Sequence, residues 1–292
     1  MRGPLGAPVL YRGAGTPFLE AHRERLLASG IETVLVDFAD APAWNRHFEN
    51  GLRDRVNDTA VSIDTRAQIL MDAARPLLKE VLDNPRDPST HGRVVALADS
   101  ICDLLRQPAA LQATIRMMQH DYYTYTHSLH VSIYSVALAR ACGIDAEDVL
   151  SGISAGGLMH DCGKCMLPSY LINKTGKLTE PEWELMRQHP QHGIAVLGDV
   201  GWDDGLVLEI CGAHHERIDG SGYPHGLVAD GVPQVARFTA IADAYDAMTT
   251  DRAYQKARQG FHALKTLRQE GQHQYDQSLI EAFIRLLLSK PS

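Results

Sequence analysis

The chain has 292 residues, 45% of them hydrophobic, and a formal net charge of −8. This length suits two domains with sizeable cores, and the negative charge argues against a binder of nucleic-acid polymers, which needs a basic face. A small phosphate ligand is still compatible, because bound metal ions can supply positive charge. The five cysteines lack a framework spacing, and no segment is apolar enough for a signal peptide or a membrane span. We therefore expect a reduced, soluble, cytoplasmic protein that does not bind membranes.

The start of the chain mixes strand and helix patterns. Residues 8–12 and 31–38 are rich in β-branched and aliphatic side chains, which is typical of short strands. The segment between them favours a helix, with Pro17 near its beginning and Gly30 at its end.

Helical spacing of apolar residues continues over 41–57 and 63–83. Residues 83–92 combine proline, glycine and polar side chains and are the clearest linker. We expect a small mixed α/β N-terminal domain over 1–88, which either regulates or dimerises the protein or simply caps the domain that follows over 89–292.

The second domain is expected to be all-α, so the protein as a whole is mainly α. Its exception is 214–232, whose glycines and single proline favour a loop. Apolar periodicity predicts helices over 90–106, 108–119, 125–142, 145–160, 180–188, 190–198, 203–213, 233–249, 259–268 and 277–289.

Five clusters in this domain carry imidazoles and carboxylates. Such side chains are the ligands of dinuclear hydrolases, in which two cations polarise the oxygens of a phosphoester. The clusters are His127 with His130, His160-Asp161 followed by Gly163-Lys164, His189 with His192, His214-His215 at the start of the Gly-rich loop, and Asp243 with Asp246.

Structural roles are alternatives for several of the histidines. One of His127 and His130 can hydrogen-bond within the core. His160 and Asp161 also fit a helix C-terminus, where the imidazole meets the negative end of the dipole and the carboxylate is solvated. For His192 a surface position is the favoured interpretation.

The two aspartates differ in their surroundings. Asp243 interrupts an apolar helical stretch, so its carboxylate needs a metal or a cation as partner. Asp246 lies one turn further on, where a salt bridge to Arg237 or Arg252 explains it as well as a functional role does.

Together the motifs resemble the HD-GYP family, the branch of the HD superfamily that hydrolyses cyclic di-GMP. The resemblance rests on His160-Asp161 with Gly163-Lys164 and on HHERIDGSGYP at 214–224. The segments DYYTYTHSLHV, LTEPEWELMRQHP and ADAYDAMTTDRAY extend it. It covers about residues 120–256 in order and is much weaker over 8–90.

The resemblance implies an all-α HD-type domain that binds two divalent cations, with iron as the implied metal and manganese as a frequent substitute. Asp161 would bridge the two metals. Lys164 would lie beside the bridging hydroxide and the scissile phosphate, and Tyr223 and Arg252 would contact the substrate. The implied metal ligands are His127, His160, Asp161, His189, His214, His215 and Asp243.

Two positions depart from the family's pattern around the site. Some members carry a glutamate that helps to hold a third metal where this chain has Tyr123, so two metals are expected. The position three residues after Arg252 is often basic but is Gln255 here, followed by Lys256. Phosphate contacts on that side should be weaker.

Cys162 replaces the more usual aliphatic residue of the family and forms a C-x-x-C motif with Cys165. A lone motif of this kind is weak support for zinc, which usually needs two more ligands. A redox switch is the second interpretation, because the motif lowers thiol pKa values. Small buried thiols are the favoured interpretation.

The resulting hypothesis is a phosphodiesterase that opens cyclic di-GMP to linear pGpG by attack of a hydroxide bridging two metals, with a second cut to GMP left open. The first alternative is a mononuclear HD hydrolase of nucleoside phosphates, which leaves His189, His214 and His215 without a task. The second is a non-catalytic module that binds a cyclic dinucleotide or a partner protein. For the protein in general, a homodimer and signalling partners of the diguanylate cyclase type are considered as well.

Overall fold

The structure is a computed structural model of the chain. It describes residues 19–31, 37–107, 109–118, 125–250, 259–269 and 271–288. Within these ranges the α-helices are α1 (Glu20–Ala28), α2 (Ala41–Asn50), α3 (Leu52–Asn57), α4 (Ile63–Asp83), α5 (Thr90–Leu104), α6 (Ala110–Met118), α7 (Thr126–Ala141), α8 (Glu147–Met159), α9 (Ser169–Ile172), α10 (Glu180–Met186), α11 (His189–Asp199), α12 (Gly205–Ala213), α13 (Gln234–Thr249), α14 (Gly260–Gln269) and α15 (Gln277–Leu288). Short 3₁₀ turns lie at Phe38–Asp40, Cys162–Met166 and Ala229–Gly231. In the described part of the chain, each helix is too short or too polar to span a membrane.

The expectation of a mainly helical protein is confirmed, but a mixed α/β N-terminal domain is not supported. No strand occurs among the described residues. The strand predicted over 8–12 lies outside them, and the one predicted over 31–38 is described only at its ends, where Phe38 opens a 3₁₀ turn. Runs of a few apolar residues do not by themselves distinguish a strand from a buried turn or helix.

Contacts divide the chain into two compact units, residues 1–48 and 49–292. In the first unit the described residues form α1 and most of α2. The second unit begins before α3, so the boundary expected at residue 88 falls inside it, in the loop between α4 and α5. The reason is apolar burial, because α4 packs on α5 and α6 and buries Leu70, Leu77 and Val81.

Five helices form the centre of the second unit. Helix α7 packs against α8 and α13, while α8 also packs against α5 and α12. Almost every residue of α7 is buried, including Leu129, Ile133 and Leu138. A helix that is apolar around most of its circumference must be enclosed by neighbours. The ends of these enclosed helices are therefore held in fixed positions, and polar residues placed there are held with them.

Candidate metal centre

All seven predicted ligands lie together, mostly at helix ends. Side chains of consecutive residues within a helix diverge, but they can converge where the chain leaves it. In chain order the seven are His127 in the first turn of α7, His160 and Asp161 directly after α8, His189 as the first residue of α11, His214 and His215 directly after α12, and Asp243 within α13.

Asp161 lies at the centre of this cluster. Its Oδ1 is 3.3 Å from Nε2 of His189 and 3.9 Å from Nε2 of His214. Its Oδ2 is 3.4 Å from Nε2 of His160 and 4.0 Å from Nε2 of His127. Each oxygen of one carboxylate therefore faces a different pair of imidazoles.

Asp243 also spans the cluster, on its other side. Its Oδ1 is 3.1 Å from Nε2 of His127, and its Oδ2 is 3.9 Å from Nδ1 of His215. The two aspartates, 82 positions apart in the chain but brought together by α8 and α13, thus enclose the imidazoles between them.

Two overlapping groups of ligand atoms are compact enough to hold a cation. Within each group the ligand atoms all lie within 4.8 Å of one another. The first group is Asp161, His189, His214 and His215, and the second is His127, His160 and Asp161.

The Nε2 lone pairs of the His189 and His214 imidazoles point towards each other. Nδ1 of His189 donates to the Met186 carbonyl at 2.8 Å, and Nδ1 of His214 lies 3.1 Å and 3.0 Å from the Ile210 and Cys211 carbonyls. Each neutral ring therefore carries its proton on Nδ1 and a lone pair on Nε2. The two Nε2 atoms are only 3.2 Å apart. Two acceptors at this distance repel each other unless a cation lies between them.

His160 can serve both as a residue of the helix C-terminus and as a metal ligand, because its two ring nitrogens face different groups. Its Nδ1 donates to the Gly157 carbonyl at 2.8 Å, as a residue at a helix C-terminus would. Its Nε2 is buried, faces the cluster and has no hydrogen-bond partner among the described residues. The same holds for Oδ1 of Asp161, whose side chain is 13% exposed and so is not solvated. Unpartnered buried polar atoms of this kind are costly unless a ligand satisfies them.

Charge in the cluster also suits divalent cations. Burial alone would raise the pKa values of Asp161 and Asp243, but Lys164 beside the former and His127 beside the latter hold both well below their usual range. Burial lowers the pKa of His189 to about 4, so this imidazole is neutral and can act as a ligand. The donor set, made of nitrogen and carboxylate oxygen, is the one that divalent transition metals prefer.

Lys164 provides the fixed cation of the site. It lies in the 3₁₀ turn that follows Asp161, and its Nζ is 2.5 Å from Oδ2 of that carboxylate. Its side chain is 34% exposed, so the ammonium group also faces solvent at the edge of the cluster. An anionic group that approached Asp161 from solvent would meet this charge.

Gly163 is required by a close contact between two segments of the backbone. A Cβ atom at this position would lie 2.0 Å from the carbonyl oxygen of His189 and 2.3 Å from the nitrogen of Gly193. The chain after α8 thus runs directly against the first turn of α11. This contact fixes the distance between Asp161 and His189.

The loop that follows α12 closes over one side of the cluster. The ring of Tyr223 stacks on His215, with centroids 4.6 Å apart and an angle of 28° between the planes. Both oxygens of the buried Glu216 carboxylate accept backbone N–H groups of the loop, from His225 at 2.7 Å and from Leu227 at 2.9 Å. The glycine of the Gly-Tyr-Pro motif has a structural reason, since a Cβ on Gly222 would lie 2.5 Å from the Cα of Glu216.

Some residues highlighted by the sequence lie elsewhere. His192 is partly buried on α11 rather than fully at the surface, and it belongs to neither of the two ligand groups. Arg252 was predicted to contact the substrate, and it lies outside the described residues together with Tyr123, Gln255 and Lys256. Their predicted contributions stay predictions.

Asp246 and His130 have a role that the sequence left open. Oδ2 of Asp246 accepts from Nδ1 of His127 at 2.7 Å, and Oδ1 accepts from Nδ1 of His130 at 2.8 Å. The salt bridge considered between Asp246 and Arg237 is absent, because Arg237 donates to the Val232 carbonyl at 2.9 Å and contacts other carboxylates. The available signal was the matching three-residue spacing of the two histidines on α7 and of the two aspartates on α13.

The C-x-x-C motif does not form a thiol pair. Cys162 is buried and Cys165 is exposed. A hydrogen bond with Cys211, together with burial, raises the pKa of the Cys162 thiol well above its ordinary range. Burial also raises the pKa of Cys165. Neither thiol is therefore activated as a thiolate. The favoured interpretation as small buried thiols agrees with Cys162 but is wrong for Cys165, which is exposed.

Comparison with known proteins agrees with this geometry. Residues 97–279 match the HD domain family. The chain belongs to this family. The predicted membership of the HD superfamily is thus confirmed, and the matched range contains the whole cluster.

Curated phosphodiesterases of cyclic dinucleotides are among the relatives that this chain matches. A cyclic di-GMP phosphodiesterase of Pseudomonas aeruginosa is 40% identical over 190 residues, which cover 65% of this chain and 45% of the relative. A 3′3′-cGAMP-specific phosphodiesterase of Vibrio cholerae is 38% identical over 132 residues, 45% of this chain and 25% of the relative. The chain thus matches less than half the length of these curated relatives.

A solved structure of another protein shares the fold of this chain. An HDG"Y"P protein from Bdellovibrio bacteriovorus superimposes with a TM-score of 0.73 over 87% of this chain and 82% of that chain, at 23% sequence identity. At this identity the likeness concerns the helical architecture alone.

Proposed function

We propose that the protein is a metal-dependent phosphodiesterase that hydrolyses cyclic di-GMP to linear pGpG. The observation that supports this most directly is the position of Asp161, whose carboxylate belongs to both groups of candidate ligand atoms. A carboxylate shared in this way is suited to bridge two cations. A mononuclear site would leave one of the two groups without a function.

The two groups provide the ligands for the proposed cations. Asp161, His189, His214 and His215 would hold one cation, and His127, His160, Asp161 and Asp243 the other. Two divalent ions, iron with manganese as a substitute, would polarise the phosphoryl oxygens and lower the pKa of an attacking water. The buried, unpartnered atoms and the facing lone pairs of His189 and His214 support occupation by cations.

The protein's own side chains would orient and neutralise the substrate. Lys164 is held beside Asp161 by their ion pair, so its ammonium group can stabilise negative charge on the phosphate undergoing attack. Tyr223 is fixed by stacking on His215 and closes the site from the side of the loop. Its aromatic face and hydroxyl group suit contact with a nucleotide. Arg252 is proposed as a further substrate contact.

The choice of cyclic di-GMP rests on the relatives. Cyclic di-GMP phosphodiesterases from several bacteria match this chain at 33–40% identity, and 3′3′-cGAMP-specific phosphodiesterases of Vibrio cholerae match it at 33–38%. The ligand set is the same for either substrate, because both carry the same phosphodiester linkage chemistry at the scissile bond. We therefore treat 3′3′-cGAMP as the competing substrate in the test.

Turnover by protein loaded with Fe²⁺ or Mn²⁺ tests the proposal. The wild type is expected to convert cyclic di-GMP to pGpG, and chromatography of the products measures this conversion. Asp161→Ala should reduce turnover by more than about a hundredfold, since even residues that only support a ligand cost roughly 10–100-fold. Asp203→Ala removes an exposed carboxylate just before α12 and should leave turnover unchanged.

Two results would contradict the proposal. Equal turnover by the wild type and Asp161→Ala would show that the cluster is not the site of hydrolysis. Faster turnover of 3′3′-cGAMP than of cyclic di-GMP would keep the reaction class but replace the substrate.

A further inference from the structure

Asp246 is a buried carboxylate whose two oxygens are both engaged by side chains. It lies on α13 and is 2% exposed. Besides the two imidazole contacts of His127 and His130, its Oδ1 accepts from the Thr250 hydroxyl at 3.1 Å. A carboxylate that accepts hydrogen bonds from two imidazoles is ionised, so both rings carry a proton on Nδ1.

His127 differs from three other imidazoles of the cluster in the group that accepts the hydrogen bond of its Nδ1. Nδ1 of His160, His189 and His214 in each case faces a backbone carbonyl of the preceding helix turn or segment. No side-chain substitution removes such an acceptor. His127 instead donates to a side chain, Asp246, so its orientation and tautomer depend on one replaceable residue.

The surroundings of Asp246 keep that carboxylate in one position. His130 is 2% exposed, and its Nε2 is buried without a hydrogen-bond partner among the described residues. The polar contact of this ring is therefore the bond to Asp246. With Thr250 and His130 on one oxygen, the other oxygen points at Nδ1 of His127.

We propose that Asp246 is the positioning residue of one of the two metal positions, the one formed by His127 and His160. Without it the ring of His127 can rotate or carry its proton on Nε2, and an Nε2 that carries a proton cannot bind a cation. The position formed by His189, His214 and His215 does not depend on Asp246. This inference rests on the proposed occupation by two cations, but not on the identity of the substrate.

Titration with Mn²⁺ in the absence of nucleotide tests the inference. The full chain and its variants are titrated calorimetrically, and bound Mn²⁺ is examined by electron paramagnetic resonance, which distinguishes a coupled pair from an isolated ion. The wild type is expected to bind two ions per chain. Asp246→Ala should keep one tight ion, bind the second more than about a hundredfold more weakly, and show the spectrum of an isolated ion.

Asp246→Asn serves as the conservative variant. Its amide oxygen can still accept from His127 if the amide nitrogen faces His130, so the second ion should bind only about 10–100-fold more weakly and the coupled spectrum should return at high Mn²⁺. Asn also preserves the shape of the side chain, so this variant decides the question if Asp246→Ala does not fold. Unchanged binding of both ions to Asp246→Asn would then overturn the inference.

Asp103→Ala is the matched control for the loss of a buried carboxylate. Asp103 lies on α5, is 4% exposed, and accepts from Arg53 at 2.7 Å and Asn57 at 2.9 Å. This variant should be less stable but bind both ions as the wild type does. Equal loss of both ions in Asp246→Ala, or the same weakening in Asp103→Ala, would overturn the inference, because either result would indicate a general loss of structure.

Failure of the inference and failure of the proposed function have different signatures. Selective loss of one ion in Asp246→Ala supports the positioning role even if the wild type hydrolyses neither cyclic dinucleotide. Conversely, a wild type that hydrolyses cyclic di-GMP while Asp246→Ala binds both ions normally keeps the function and removes the positioning role.

Discussion

Gly163 shows how a single missing side chain shapes the site. Its Cα lies so close to α11 that an added Cβ would overlap the carbonyl oxygen of His189, a backbone atom that cannot move without moving the helix. The same contact that excludes a side chain sets the position of His189 relative to Asp161. A change at this residue should therefore affect both stability and metal binding.

Gly163→Ala is expected to destabilise the protein by about 1–3 kcal/mol or more, because the surroundings are overpacked. Displacement of His189 should also weaken Mn²⁺ binding. Thermal unfolding and Mn²⁺ titration measure the two effects. The matched control is Gly198→Ala on α11, where an added Cβ meets no atom within 4 Å. There, alanine should stabilise the helix by up to about 1 kcal/mol. Similar behaviour of the two variants would refute the explanation.

At the scale of elements, the cluster is built where helices begin and end. The end of α8, the end of α12 and the start of α11 meet because α12 packs against both α8 and α11 through buried apolar residues. The loop after α12 is less constrained by such packing. It is held by the Glu216 carboxylate, which accepts the N–H groups of His225 and Leu227.

Glu216→Gln should loosen this loop. The amide has one acceptor oxygen in place of two, so one buried backbone N–H loses its partner, at a cost of about 1–3 kcal/mol. Hydrogen exchange of residues 217–228 is expected to become faster, and KM for the cyclic dinucleotide to rise more than kcat falls. Glu209→Gln, on the exposed side of α12, should change neither. Unchanged exchange in Glu216→Gln would show that other contacts hold the loop.

At the scale of the whole molecule, the cluster lowers the stability of the fold unless a cation is bound to it. The cluster brings together the buried carboxylates of Asp243 and Asp246 and the largely buried one of Asp161. The neutral imidazoles of His189 and His214 also face each other. Such groups destabilise a folded chain unless a counter-charge satisfies them. A divalent cation bound only by the folded state supplies that charge.

Addition of Mn²⁺ should therefore raise the melting temperature of the full chain. At a free concentration a thousandfold above Kd, one site contributes about 4 kcal/mol, which corresponds to a rise in Tm of several degrees. Differential scanning calorimetry with and without a chelator measures the shift. Asp161→Ala, which lacks the shared ligand, should show little of it. A wild-type Tm that is insensitive to both Mn²⁺ and chelator would argue against a metal centre.

Much of the helical fold could be predicted from the sequence. The helices expected over 63–83 and 125–142, for example, are observed as Ile63–Asp83 and Thr126–Ala141. Periodicity succeeds there because each helix buries apolar residues at helical spacing. It was less informative over 41–57, where Gly51 separates two helices, and for the 3₁₀ turn at Cys162–Met166. Short turns have too few residues for a period to be recognised.

For the site, the imidazoles and carboxylates beside apolar helices indicated five clusters but left structural roles open for several of their members. The resemblance to the HD-GYP family then implied seven of these residues as ligands. The sequence by itself thus determined the family, the helical character and the candidate ligand set. Only the tertiary structure decided which oxygen of Asp161 faces which imidazoles, that Asp246 holds His127, and that Gly163 serves a contact with α11. These depend on distances between helices that are far apart in the chain, and such distances follow from the packing of whole helices rather than from local pattern.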